Sequence, residues 1–396
     1  MKYFWLFILG VSLLHSATVV KVDTMFAKSS KCKSCHLPIV NQWKNSWHSK
    51  SHYNNDEYLR KSIKYVSKKS RKSLNGVKID CAKCHNPRIA VTSSGIDYEI
   101  DALMGLDKDS KVNKALASDA ISEGINCVVC HNIDKIHKKK PESVRGIDRI
   151  EWTKSGLMSG PYKDAHSPYH EVEYRDFMSK DSNTLCFVCH ANDRSIKKLT
   201  FINMKKEFAG SKKLCVDCHM GKKKLGVAST LKIDHGKAKK RKIRTHSFKG
   251  AHFEDMIQNS LSVVAKQKKE KIFITLKNKL PHSIPSGFGS REILVELTYF
   301  KNNKQIKQES ISLTSHYKDR RKRPTIAHLA KKQSKDVSIK SHSKKILKVQ
   351  KYKGANRVKI VLYYRLVNDE VRSLLKLKDA LWAKKMPIAQ TTLKLK

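Results

Sequence analysis

Apolar positions group in three different ways along this chain. Tyr3–Leu14 is an almost unbroken apolar run behind one basic residue, Lys2, and ahead of His15-Ser16-Ala17. A short charged start, an apolar stretch of about 7–15 residues and small residues at its end are the layout of a secretory signal. Residues 1–17 are therefore read as a signal peptide. Left uncleaved, the run would be a membrane anchor, although at roughly 18 residues it would barely span a bilayer. Between residues 18 and 255, helical patches alternate with turn-marked loops. NQWKNSWHSKSH (41–52) reads as a helix with His48 and His52 four apart on one face and Trp43 and Trp47 at the same spacing. GPYKDAHSPYH (160–170) reads as a Gly-Pro loop leading into a helical stretch. From about Leu261 the period becomes two: KIFITLKN, REILVELTYF, IKQESISL, RVKIVLYYRLV and AQTTLKL each suit a strand with one buried face. The expected architecture is a mainly α/loop region over 18–255 followed by an all-β, sandwich-like domain over 256–396.

Composition narrows the class. At 39% hydrophobic residues and a mean hydropathy of −0.54 over 396 residues, a bundle of membrane helices is excluded. Lys and Arg number 82 against 35 Asp and Glu, a net charge of +47. The excess is spread evenly, with 48 basic and 24 acidic residues in 1–250 and 34 and 11 in 251–396. A spread excess argues against a single basic binding face and for a general attraction to anions. The runs KAKKRK (237–242) and KDRRKR (318–323) resemble nucleic-acid or nuclear-targeting patches, but an exported chain meets neither. They are read as solvated faces attracting redox partner proteins with anionic docking surfaces, or anionic lipid headgroups at a membrane surface, with no nucleic acid involved.

The cysteines carry the chemistry. All ten fall in CxxC pairs, namely Cys32/Cys35, Cys81/Cys84, Cys127/Cys130, Cys186/Cys189 and Cys215/Cys218. Each pair is followed at once by a histidine: His36, His85, His131, His190 and His219. Zinc sites join CxxC pairs in twos and give no reason for these histidines, and thioredoxin-like pairs come singly. Disulfides would leave no cysteine to cross-link distant segments. CxxCH is the attachment signature of c-type haem. Two thiols three positions apart form thioethers with one porphyrin, and the next residue brings an imidazole beneath its iron. Five motifs that consume every cysteine predict five covalently attached haem c groups, held outside the cytoplasm in the periplasm. At about one haem per forty residues, the porphyrins are expected to form the core of the first region.

Each iron then needs a sixth ligand or an open face. Beyond the five motif histidines, the haem region holds His48, His52, His137, His166, His170, His235, His246 and His252, enough for bis-histidine ligation throughout. His52 and His235 are read as surface residues. Met220 directly follows His219 and cannot easily fold back onto the same iron, while the other methionines are read as packing residues.

These pieces resemble the tetrahaem cytochrome c-554-like family of electron carriers. The likeness rests on CKSCH followed by QWKNSWH, EGINCVVCH followed by His137, GPYKDAHSPYH before LCFVCH, and CVDCHM followed by HSFKGAH, and it covers roughly residues 28–255. The resemblance implies distal haem ligation by His48 and His137, then by His166 or His170 and by His246 or His252. The fifth motif departs from a tetrahaem pattern, so the pairing of ligand with haem does not transfer. NKLPHSIPSGFGSRE (278–292) looks like the segment opening a β domain appended to many multihaem cytochromes, and its His282 is read as a turn residue in preference to a ligand. The sequence thus points to a periplasmic pentahaem c-type cytochrome moving electrons between redox partners. The alternative is a multihaem reductase or oxidase acting on a small nitrogen or sulfur oxyanion at one open iron. No CxxCK motif and no acid–base constellation favour the enzyme, so the carrier is preferred.

Overall fold

The computed structural model describes residues 28–87, 95–117, 122–154, 156–232, 236–334 and 336–396, with short strand pieces at 18–19 and 91–93. The assigned signal peptide and His235 lie outside the described residues. Among the described residues no helix is long and apolar enough to cross a membrane.

The first region is a series of short helices: α1 (Lys33–Lys44), α2 (Glu57–Ser70), α3 (Leu74–His85), α4 (Cys127–His131), α5 (Ser182–His190), α6 (Met204–Glu207) and α7 (Cys215–His219). Their starts are capped locally, as expected where the first backbone N–H groups lack partners. The Asp56 carboxylate accepts from Leu59 N at 3.0 Å, Ser73 Oγ from Gly76 N at 2.9 Å, and Asn203 Oδ1 from Lys206 N at 2.9 Å.

Two expectations from the pattern are corrected here. The stretch 41–52 is not one helix. Ser46 caps a new turn, Trp47–Lys50, by accepting from Ser49 N at 3.3 Å, which leaves His52 outside the helix and off the face of His48. His52 is also buried rather than a surface residue. The segment after GPYKDAH does not run into a helix. It forms a strand, Glu171–Tyr174, paired in parallel with Leu157–Gly160.

The second region contains β1 (Leu261–Lys268), β2 (Lys271–Asn278), β3 (Glu292–Lys301), β4 (Lys304–Thr314), β5 (Lys344–Gln350), β6 (Arg357–Arg365) and β7 (Met386–Lys394). They form one antiparallel sheet in the order β1-β2-β5 and another in the order β4-β3-β6-β7. Alternate residues of both sheets enter one core: Ile272, Ile274 and Leu276 from β2, Ile293, Val295 and Leu297 from β3, and Val358, Ile360 and Leu362 from β6. Tyr58, Leu59, Ile63 and Val66 of α2 and Val77 of α3 pack into that same core, so the two regions share apolar contact. The Glu57 carboxylate ties the junction by accepting from Lys378 N (3.0 Å), Asp379 N (3.1 Å) and Trp382 Nε1 (2.8 Å).

Candidate haem centre

In a helix, positions i, i+3 and i+4 share one face. Both thiols and the imidazole of each CxxCH therefore project to the same side. Helices α3, α4, α5 and α7 all end on their motif histidine, and α1 breaks at His36 (φ −115°, ψ 33°) just before Pro38. Each motif thus occupies a helical turn that stops where its imidazole is presented.

The rings are oriented by their Nδ1 atoms. His36 Nδ1 lies 2.8 Å from Ala228 O, His131 Nδ1 2.8 Å from Ser159 O, and His219 Nδ1 2.6 Å from Lys249 O. A carbonyl oxygen only accepts, so in these neutral rings Nδ1 carries the proton and Nε2 keeps a free lone pair. Metal-ligating histidines are held in this way. His85 Nδ1 is 2.8 Å from Ser51 Oγ.

The structure brings three motif histidines near a second histidine. Ring centres are 6.4 Å apart for His36 and His170, 6.3 Å for His48 and His190, and 6.4 Å for His131 and His246. With each nitrogen about 2 Å from a metal ion, two imidazoles on its opposite faces have ring centres roughly 6.3 Å apart. The observed gaps are the size one shared iron requires. Desolvation by the surrounding chain favours the neutral form of His48, His190 and His246, as ligation demands. It pushes His190 and His246 down to about 4, and His48 to about 3 with the further repulsion of His190, His219 and His85. The residues fit haem: they could hold it by paired thiols on one side and opposed imidazoles across it.

The five attachment turns touch one another. The thiols of Cys32 and Cys127 lie close enough to act on each other electrostatically, as do Cys84 with Cys189 and Cys186 with Cys215. Cys130 lies within electrostatic reach of Cys186 and Cys189. The order of contact is first to third, third to fourth, and fourth to both second and fifth. Two glycines permit this crowding. A Cβ at Gly146 (φ +58°) would lie 1.9 Å from Lys83 O and 3.0 Å from Cys84 Sγ. One at Gly124 (φ +66°) would lie 2.7 Å from His48 O. Gly124 belongs to EGINCVVCH, a signal visible in the sequence, whereas the carbonyls of Ala228, Ser159 and Lys249 left none.

The second cysteines of the first and fifth motifs, Cys35 and Cys218, differ in their cover. Cys218 is exposed, on the last turn of α7, where its carbonyl accepts from Gly221 N at 3.3 Å. Cys35 is half-buried, with its Sγ 3.7 Å from the exposed Ser34 Oγ, and its carbonyl accepts from Thr230 N (2.7 Å) and Thr230 Oγ1 (3.1 Å). Cys81 of the second motif packs against the β-region core.

Other sequence candidates fall elsewhere. His137 Nε2 is 2.6 Å from Glu151 Oε1, so the atom an iron would need is engaged by a carboxylate. His166 is exposed. His252 stacks on Trp47 with ring centres 3.7 Å apart and has no hydrogen-bond partner at Nδ1. His52 Nδ1 accepts from Asn54 N at 3.2 Å, which places its proton on Nε2, the reverse of the motif histidines. It lines a cavity of about 290 Å³ together with Lys78, Cys81 and His85. Trp43 is buried, and its Nε1 donates to Ile125 O at 2.7 Å, which holds the third motif's approach.

Residues 31–132 match the family described as cytochrome c554 and c-prime. A penta-heme cytochrome c552 from Thermochromatium tepidum has the same fold, with a TM-score of 0.69 at 20% identity over 93% of this chain and 98% of that one. A superoxide reductase in the oxidized state aligns over 35% of this chain with a TM-score of 0.18, too low to mean a shared fold. No curated protein sequence matches.

Proposed function

We propose that this chain, whose residues 31–132 match the cytochrome c554 and c-prime family, is a multihaem c-type cytochrome that carries electrons in the periplasm on five covalently attached haems. The observation that carries this reading is the contact between attachment turns, from Cys32–Cys127 through to Cys84–Cys189 and Cys186–Cys215. When bound, haem supplies a one-electron iron couple at each of these sites. The chain's own part is to set the order and environment of the sites. His36, His131 and His219 are fixed by backbone carbonyls. His170, His48 and His246 oppose His36, His190 and His131 at single-metal distance. A site opposed by two imidazoles leaves little room for a substrate, which favours transfer over chemistry at those three positions. Exposed Cys218, in the fifth motif at one end of the series, suits electron entry or exit there. The apolar start supports export, and the even net charge of +47 supports docking to anionic faces of redox partners or to anionic headgroups.

Intact mass tests the reading. Protein matured with full haem-attachment machinery is expected to exceed its polypeptide by five haems, none of them extracted by acidified acetone. Four or fewer would refute the pentahaem assignment, and a chain beginning at Met1 in membrane fractions would replace the carrier in the periplasm by a tethered one.

A further inference from the structure

The three opposed pairs leave two motif histidines, His85 and His219, without a partner ring from the helical region. We propose that the β region completes both sites, with His328 as the distal ligand at the second motif and His282 at the fifth. The proposal rests on the attachment reading above and adds to it the residues on the far side of two irons.

The remaining described histidines are eliminated by their chemistry. His52 carries its proton on Nε2, His137 gives Nε2 to Glu151, and His252 is stacked on Trp47. His166 and His342 are exposed, and His316 lies on the surface beside Glu370 at 3.2 Å. His282 and His328 remain.

His282 has the bonding of a ligand. Its Nδ1 lies 2.8 Å from Ser283 O, the next carbonyl in the chain, just as His170 Nδ1 lies 3.2 Å from Glu171 O. Nε2 is left free. The loop is fixed in place, since Asn278 Nδ2 donates to His282 O (2.8 Å), Ile339 O (2.9 Å) and Lys340 O (3.1 Å). It also reaches the approach to the fifth motif, where Ser286 Oγ donates to Glu207 Oε2 at 2.6 Å and lies 3.0 Å from Met204 Sδ, both on α6. His219 is close enough to act electrostatically on His282.

His328 sits at the second motif through a chain of contacts. Its Nε2 is 3.8 Å from Asp193 Oδ2, and Asp193 pairs with Arg145. Arg145 precedes Gly146, which lies against Lys83 and Cys84 of that motif. Ile196 N donates to His328 O at 2.9 Å and Ser195 Oγ to Ala330 O at 2.7 Å, so the strand after the fourth motif clamps the segment. His328 Nδ1 is buried with no hydrogen-bond partner, and its ring lies within electrostatic reach of His85.

The test uses the full holoprotein and reads spin state, carbon monoxide binding and haem count. Wild type is expected to hold five haems, all low-spin and none binding carbon monoxide. H282A and H328A are each expected to keep five haems while one becomes high-spin and binds one carbon monoxide. The double variant should bind two, and added imidazole should restore the low-spin spectrum in each. H342A, at an exposed site, should match wild type. Should an alanine variant fail to accumulate, H282M and H328M serve instead, since a thioether keeps the iron six-coordinate but raises its potential. Five haems with unchanged spin in H282A and H328A, or unchanged potentials in the methionine variants, would overturn the assignment. A new high-spin haem in H52A, or two high-spin haems already in wild type, would overturn it as well. A wild-type count below five would refute the attachment reading itself, a different failure.

Discussion

The helical and β regions of this protein are built on opposite principles. Over residues 256–396 there are 33 buried apolar residues, while over 28–255 there are 20, among the described residues. Five of those 20, Tyr58, Leu59, Ile63, Val66 and Val77, belong to the core of the β region. The β region thus holds the larger layered core, which those five helical residues complete. The helical region, the longer of the two, cannot close on its own side chains. Its motif thiols are half-buried or exposed, and three pairs of imidazoles oppose one another across gaps of 6.3–6.4 Å. One region holds most of the apolar interior. The other carries all five attachment motifs.

The largest consequence concerns folding without haem. Where a bound group holds the structure together, its binding free energy is folding free energy. Chain produced without haem attachment is expected to be cut by protease throughout 28–255 while β1–β7 survive as a resistant fragment. Mass spectrometry of the digest reads this, and equal protection of both regions would break the comparison.

The β region should respond to ordinary core chemistry and leave the haems alone. Arg365 Nη1 lies 3.0 Å from Glu292 Oε2, and both side chains are nearly sealed, at 7% and 5% exposure. Arg365→Ala leaves a buried carboxylate without its partner, at a cost of about 3–5 kcal/mol in urea unfolding. The haem absorption bands should not change, and a loss of axial ligation in this variant would mean the two regions are less separable than their cores imply.

A smaller effect lies at the junction. His252 is held between Trp47 and Trp382, and burial, with Arg291 and Lys50 nearby, pushes it down to about 3. Its folded value lies below the unfolded value of about 6.5, so protonation favours the unfolded state. The stability it contributes is complete above about pH 6.5 and is lost as pH falls towards 3. His252→Phe keeps the stack and removes the titration. Its melting temperature should fall less than that of wild type between pH 7 and pH 4, and parallel falls would exclude His252 as the junction's acid-sensitive group.

What the sequence reveals follows the same division. The strand Lys271–Asn278 coincides with KIFITLKN because burial on one face writes itself as alternation. β5, KKILKVQ, is obscured by its lysines, and the helix Asp369–Leu375 depends on Asn368, whose side chain accepts from Val371 N at 2.9 Å. In the helical region the CxxCH turns are legible because thioether attachment fixes local spacing. Their depth is not: Cys218 and Cys84 read alike in the sequence, yet only tertiary neighbours decide that the first is exposed and the second is covered by Gly146. The opposed partners are equally hidden, since each pair joins residues more than a hundred positions apart and no periodicity connects them. His137 illustrates the limit: its place six residues after His131 suggests a ligand, yet the strand pairing of Ile133–Ile136 with Ile150–Trp152 delivers it to Glu151.

The most direct test of the central claim is an anaerobic reductive titration of mass-verified holoprotein. The account predicts five electron equivalents taken up per polypeptide, all by thioether-bound haem, with each oxidised again by a one-electron acceptor. Uptake of fewer than five equivalents by a chain carrying five haems, or reoxidation only when a nitrogen or sulfur oxyanion is supplied, would contradict it.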